Sequence, residues 1–377
     1  MNEYVAFYEK YKISPVRQNI NNFDIHCKRR EGLYRQLGLP KMLFKGKDVL
    51  EVGSGGGYNS LATYLMKPSR YVLIEPNKAG FNELLDNFNK RGFKDNVEFY
   101  NILLEDFDCK DKFDIVLCEG LIQGLSNRES FLKRLSNFVK KDGFLVITVA
   151  DEISMFFEIL RRYLANELIK NEKNFEGKIN ILVRAFTPHL DSIKGMTRKY
   201  EDWCADLICD AIYNHTFSIV DAIGFFKRDY FFYGASPNIF QDFRWYKSLP
   251  IEPTEYNEYF IKQFNSIRHN FINYLKIYRE REEKENIELS MLCKRLILIV
   301  KSLEKNDNQN KKREMIEILE AISNNLKQVD KNLSLAIHEF IKLSKKENLS
   351  PDEVRDMKFL KPLFGRGQIY LSFVKEE

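Results

Sequence analysis

Between Asp48 and Val149 the chain repeats one pattern five times: a short apolar run that stops at glycine or polar residues, followed by an amphipathic stretch. The runs are Val49–Val52, Tyr71–Ile74, Val97–Tyr100, Asp114–Cys118 and Phe144–Val149. Among the intervening stretches, Gly80 to Lys90 and Arg128 to Lys140 carry apolar residues at helical spacing. Strands that alternate with helices imply parallel strands joined by right-handed crossovers, with helices on both sheet faces.

The rest of the chain elaborates on this core. Met1 to about Phe44 reads as mainly helical, with a break near Ser14-Pro15. Asp151 to Leu168 reads as a helix, Ile179 to Phe240 as irregular, and Tyr230–Tyr233 as a sixth strand. Beyond it, apolar stripes recur every three or four residues. Tyr256, Phe260, Phe264, Ile267, Phe271, Tyr274 and Tyr278 form the first, and Leu289, Leu292, Leu296, Ile299 and Leu303 the second. Ser350-Pro351-Asp352-Glu353 is a capping box with proline at the first helical position. Ile369–Val374, after Gly365-Arg366-Gly367-Gln368, reads as a terminal strand returning beside the sixth. The expected organisation is a helical cap over 1–45, an α/β core with a substrate-side insertion over 46–250, a helical insertion over 251–363, and a returning strand over 364–377. The helical insertion is a candidate homodimer surface.

Composition removes several classes. With 44% hydrophobic and 30% charged residues, the 377-residue chain is globular rather than disordered. No run reaches the ~20 apolar residues of a membrane span; the longest, Leu289–Val300, is broken by Lys294 and Arg295. The first residues contain no apolar h-region, so no secretory signal is expected. Six scattered cysteines fit neither a zinc site nor a disulfide framework, which makes the cytoplasm the expected compartment and leaves no metal site. The +5 net charge, 59 basic against 54 acidic residues, does not suggest a nucleic-acid partner.

The first run ends in Gly53-Ser54-Gly55-Gly56-Gly57. A strand, a glycine turn and a helix make a main-chain cradle that a ligand can approach closely. Glu51 stands two residues before Gly53, where a carboxylate can meet a cationic ligand group. Glu75 ends the second run, near the ~20-residue spacing expected of a ribose-binding acid. A dinucleotide dehydrogenase would need glycine or alanine where Tyr58 stands.

With these residues in hand, the chain resembles the class I S-adenosylmethionine-dependent methyltransferases, which fold as a Rossmann-like sheet of seven strands. VLEVGSGGG resembles the family's first motif, VLIEPN the second, FDIVLCEG the fourth, and KKDGFLVITV the fifth strand with its lead-in. The resemblance covers Lys47 to Ala150 and the last strand. It implies S-adenosyl-L-methionine as cofactor. Gly53, Ser54 and Gly55 would line its amino-acid moiety, with Glu51 and Gly57 close by. Glu75 would hold the ribose hydroxyls, Leu104 and Glu105 would flank the adenine, and Glu119 would sit beside the methyl. Leu103 departs from the acid that many members carry there. The residues after the fourth strand, Glu119, Gly120, Leu121 and Ile122, are not an Asn-Pro-Pro-Tyr type tetrad, which argues against exocyclic base nitrogens or glutamine as acceptor.

For the acceptor side, Gln123 follows the fourth strand at a position that faces the site in this family. Two non-periodic clusters, around Thr197–Trp203 and Gln241–Tyr246, concentrate functional side chains. We expect His189 of the Thr187–Asp191 stretch, Glu119 and Gln123 as catalytic candidates, and Arg198, Trp203, Arg244 and Trp245 of the two clusters as acceptor-binding candidates. The ISPVRQN segment, the EDW and FRWY clusters and the terminal GRGQ strand resemble a bacterial branch associated with cell-surface glycan modification. The expected acceptor is therefore a small molecule or glycan, polysaccharide included. The alternatives are a catalytically silent scaffold that binds a partner protein, and an RNA or protein methyltransferase.

Overall fold

A computed structural model describes residues 18–209 and 216–376; the expected break at Ser14-Pro15 and the start of the 1–45 cap lie outside them. Seven strands form one sheet: β1 (Asp48–Val52), β2 (Arg70–Ile74), β3 (Val97–Tyr100), β4 (Phe113–Cys118), β5 (Val139–Ala150), β6 (Tyr230–Ser236) and β7 (Gln368–Lys375). Their order is β3-β2-β1-β4-β5-β7-β6. β1 runs parallel to β2 and β4, β2 to β3, and β4 to β5, whereas β6 and β7 pair antiparallel. The expected seven-stranded Rossmann-like sheet, closed by an antiparallel last strand, is present.

The helices are α1 (Phe23–Gln36), α2 (Tyr58–Tyr64), α3 (Lys78–Lys90), α4 (Arg128–Asn137), α5 (Phe156–Ile169), α6 (Phe175–Leu190) and α7 (Tyr200–Trp203). After these come α8 (Ile219–Phe226), α9 (Pro253–Ile267), α10 (Glu283–Lys305), α11 (Gln309–Leu326), α12 (Lys331–Ser344) and α13 (Pro351–Arg355). Two expectations need correction. The stretch read as irregular from Ile179 contains α6 and α8; Pro188 sits in the last turns of α6, where a helix tolerates it better than in its middle. The stripe from Tyr256 to Tyr278 is not one helix, because α9 ends at Ile267 and a 3₁₀ turn, Arg268–Ile272, follows.

The chain divides into two compact units. The first holds the residues up to Val149, Phe217–Ile261 and the chain from Gln368 onward. It contains the sheet, and its core packs Tyr34 of α1 and Leu37 just after it against Val49, Tyr71 and Leu73 of β1 and β2. At the edge strand β6, the Asn257 amide of α9 donates to Tyr230 O (2.7 Å) and accepts from Phe232 N (2.8 Å). Those bonds satisfy backbone groups that an open edge leaves bare. The second unit holds Ala150–Thr216 and Lys262–Gly367. It therefore draws on two stretches, whereas the sequence reading kept 150–216 with the core. At its centre Arg161 is fully buried, donates to the carbonyls of Leu360 and Lys361, and stacks 3.7 Å from the Phe364 ring.

The parallel register decides where chemistry is placed. Val52 pairs with Ile74 and Glu51 with Leu117. Gly53, Glu75 and Glu119 therefore leave their strands at one edge, where ligands of open parallel sheets bind.

Candidate cofactor site

At that edge lies a cavity of about 1100 Å³, its open mouth included, lined by the glycine turn, by Glu51, Glu75 and Glu119, and by Leu103, Leu104 and Glu105. The glycines are needed for the backbone path: φ is +78° at Gly53, +54° at Gly55 and +76° at Gly57. A Cβ at Gly57 would also meet Leu84 Cδ1 at 2.3 Å. Gly57 is absent from the lining; its place is the N-cap of α2.

Glu75 ties the turn to the next strand. One carboxylate oxygen accepts from Gly55 N (2.6 Å) and the other from Asn77 N (2.8 Å). A carboxylate has about four acceptor positions, so two remain for ligand hydroxyls. Glu51 accepts from Ser60 Oγ (2.7 Å) and from the Tyr71 hydroxyl. Burial pushes both acids up to about 7, and for Glu51 the neighbouring Glu119 adds to the shift.

Glu119 is held from α1. Arg30 Nη2 donates to both its oxygens (2.6 and 2.8 Å), and the Tyr34 hydroxyl donates at 2.9 Å. Burial works against the Arg30 charge, but Glu119 beside it outweighs burial and keeps the guanidinium protonated. The same helix reaches the rim of the cavity again, where His26 Nε2 bonds Tyr58 O (2.9 Å). Just before α1, Gln18 Nε2 donates to Asn59 Oδ1 (3.2 Å).

Two lining groups remain for a ligand to satisfy. Among the described residues, Ser54 Oγ and Asn77 Nδ2 are buried and have no hydrogen-bond partner. Buried polar groups are normally satisfied. Unpaired donors, two acids with a tendency to hold protons, and an apolar Leu103–Leu104 wall together fit S-adenosyl-L-methionine: a cation, a ribose diol and a purine face.

Of the expected site residues, the cavity gathers Glu51, Gly53, Ser54, Gly55, Glu75, Leu104, Glu105 and Glu119. The acceptor-side expectations fare differently. His189 lies buried in the second unit, with Nδ1 accepting from Arg161 Nε (3.2 Å) and Nε2 bonded to Val354 O (2.9 Å). Burial, then Arg161, lowers it to about 3, so it is a packed structural histidine and not a base. In the same unit Trp203 is buried between Phe186 and Phe364, and Arg198 pairs with Asp206. In the first unit Arg244 chelates its neighbour Asp242 and stacks 3.7 Å from the Tyr259 ring, while Trp245 is exposed. None of these five lines the cavity. Gln123 is fully buried, lies outside the lining, and has both amide atoms unpartnered. Sequence reasoning missed Arg30 and Tyr34, which sit in a charged helical stretch that reads as solvated. It also missed Tyr370 of β7, which lines the cavity as an ordinary alternate strand position.

A family model described as a methyltransferase domain matches residues 43–217. Over 148 residues the chain is 26% identical to the ubiquinone biosynthesis O-methyltransferase of Glaesserella parasuis, a match covering 35% of this chain and 58% of that protein. Over 107 residues it is 27% identical to the tRNA U34 carboxymethyltransferase of Alteromonas mediterranea, covering 27% of this chain and 32% of that protein. Less than two thirds of either relative is thus matched. A crystal structure of a SAM-dependent methyltransferase from Aquifex aeolicus is 24% identical and covers 33% of this chain and 64% of that one, with a TM-score of 0.29. The match to a methyltransferase domain thus spans residues 43–217, the stretch that holds β1 to β5 and the glycine turn.

Proposed function

We propose that the chain transfers a methyl group from S-adenosyl-L-methionine to a small-molecule or glycan-type acceptor. The observation that carries this is the acid-bordered glycine cradle with its two unpartnered buried groups, Ser54 Oγ and Asn77 Nδ2. When bound, the cofactor supplies a sulfonium-activated methyl carbon. The chain's own work is alignment, and well-oriented reactants gain on the order of 7–11 kcal/mol from that alone. Gly53 N, bonded to Ile74 O at 2.8 Å, and Gly55 N, bonded to Glu75, keep the turn open and rigid. Glu75 orients the ribose, and Glu51 favours the cationic amino-acid end. Glu119, already accepting from Arg30 and Tyr34, is held in place at the end of β4. Tyr370 and Gln368 of β7 border the same cavity and offer polar contacts to an acceptor.

The described residues lining the cavity include no histidine or lysine. That favours acceptors whose nucleophile needs little help with its proton: a neutral amine, which for a glycan means an amino sugar, or the acidic hydroxyl of a phenol-like small molecule. No described helix is long and apolar enough to cross a membrane. A cytoplasmic setting belongs to the same proposal and rests on the scattered cysteines. The experiment is turnover: the chain incubated with the cofactor and a panel of sugar, phenol and amine acceptors should form S-adenosylhomocysteine with some member. Cofactor binding without turnover on any of them would favour the scaffold reading.

A further inference from the structure

Helix α10 belongs to the second unit and carries two opposed faces. Leu289, Cys293, Leu296 and Val300 point into that unit and are buried. On the other side Ile287, Met291 and Leu298 are 43%, 61% and 64% exposed. Their spacing puts them on one line along the helix, with Lys294 between them. Single exposed apolar residues are ordinary, but an aligned row on a 23-residue helix marks a surface that expects a partner.

The charges beside that row identify the partner. Acids outnumber bases in the first half of the helix (Glu283, Glu285 and Glu288 against Lys284), and bases outnumber acids in the second (Lys294, Arg295, Lys301 and Lys305 against Glu304). If the helix meets its own copy antiparallel, about a two-fold axis between Met291 and Leu292, Met291 packs on its symmetry mate and Ile287 lies near Leu298. In that one register Glu288 faces Arg295 on one flank, and Glu283 faces Lys301 on the other. Flanking acid–base pairs set orientation in paired helices, and a self-complementary patch is what an isologous dimer requires. We propose that α10 is the two-fold contact of a homodimer. Within the chain Arg295 already bonds Glu314 (3.1 Å) at an exposed site, and Lys294 stands 3.6 Å from Glu152. Arg295 is therefore held on the surface beside the row, whereas Lys294 turns toward a buried carboxylate.

Sedimentation equilibrium of the full chain across a wide concentration range tests this. The wild type should show twice the chain mass, dissociating on dilution. Met291→Asp should weaken the dimer by about tenfold or more, as loss of a central apolar anchor does, with the circular dichroism spectrum unchanged. Glu288→Arg and Arg295→Glu should each weaken it, and the double variant should recover most of the loss. A single-chain mass at every concentration would overturn the proposal. So would a dimer indifferent to Met291→Asp, or a double variant as weak as the sum of the singles.

Discussion

Glu51 and Glu75 hold their protons far more readily in the folded chain than when unfolded, moving from 4.5 to about 7 because both are buried. Glu152 and Glu158 in the second unit move the same way for the same reason. Between those values the folded state binds protons that the unfolded state has lost, so the ligand-free protein should lose stability as pH rises through that window. Urea midpoints measured against pH test the sign, and Glu51→Gln should flatten the slope. Cofactor binding has the opposite dependence. A cationic ligand favours the ionised carboxylates, so affinity should rise from about pH 6 to about pH 8 with release of protons, seen as a buffer-dependent heat. Glu75→Ala should cost about 1–3 kcal/mol of cofactor affinity, because Gly55 N loses its acceptor as well as the ribose losing its own. Gly55→Arg should abolish binding altogether, since a side chain would fill the cradle at a residue with φ of +54°. Arg30→Met leaves Glu119, only 11% exposed, without its cation and should destabilise the fold by about 3–5 kcal/mol. Chemical denaturation reads that loss, and adding Glu119→Leu should recover part of it.

At the scale of elements, the junction of β1, the glycine turn and α2 carries the account. Gly57 caps α2 with a left-handed backbone and a space that Leu84 already fills. Gly57→Ala should therefore destabilise by about 1–3 kcal/mol and weaken cofactor binding through the displaced turn, checked by denaturation and calorimetry on one preparation. The strands and this junction were legible in the sequence because apolar runs buried on both faces contrast sharply with the glycines that end them. The acids at the strand ends were legible for a related reason: parallel strands of equal phase deliver their last residues to one edge. The acceptor side was not legible. His189 looked like a base in a polar stretch, but α6 buries it under Arg161. Arg244 looked like a ligand reader, but it closes on the acid two residues before it. Arg30 was hidden for the converse reason: only tertiary packing turns one member of a basic helical run inward. Partner choice between side chains far apart in sequence leaves no periodic trace.

For the whole molecule, the chain divides into two units, with one division falling after Ile261. The cradle belongs wholly to the first unit, so a ligand there stabilises that unit by mass action. Differential scanning calorimetry with S-adenosyl-L-methionine should move the transition of the sheet-containing unit upward, by more at higher ligand concentration. The most direct test of the central claim is isothermal titration of the full chain with S-adenosyl-L-methionine beside Gly55→Arg. The account predicts one saturable site per chain in the wild type, tighter as pH rises, and no site in the variant. No heat from the wild type at any pH, or undiminished binding by Gly55→Arg, would contradict it.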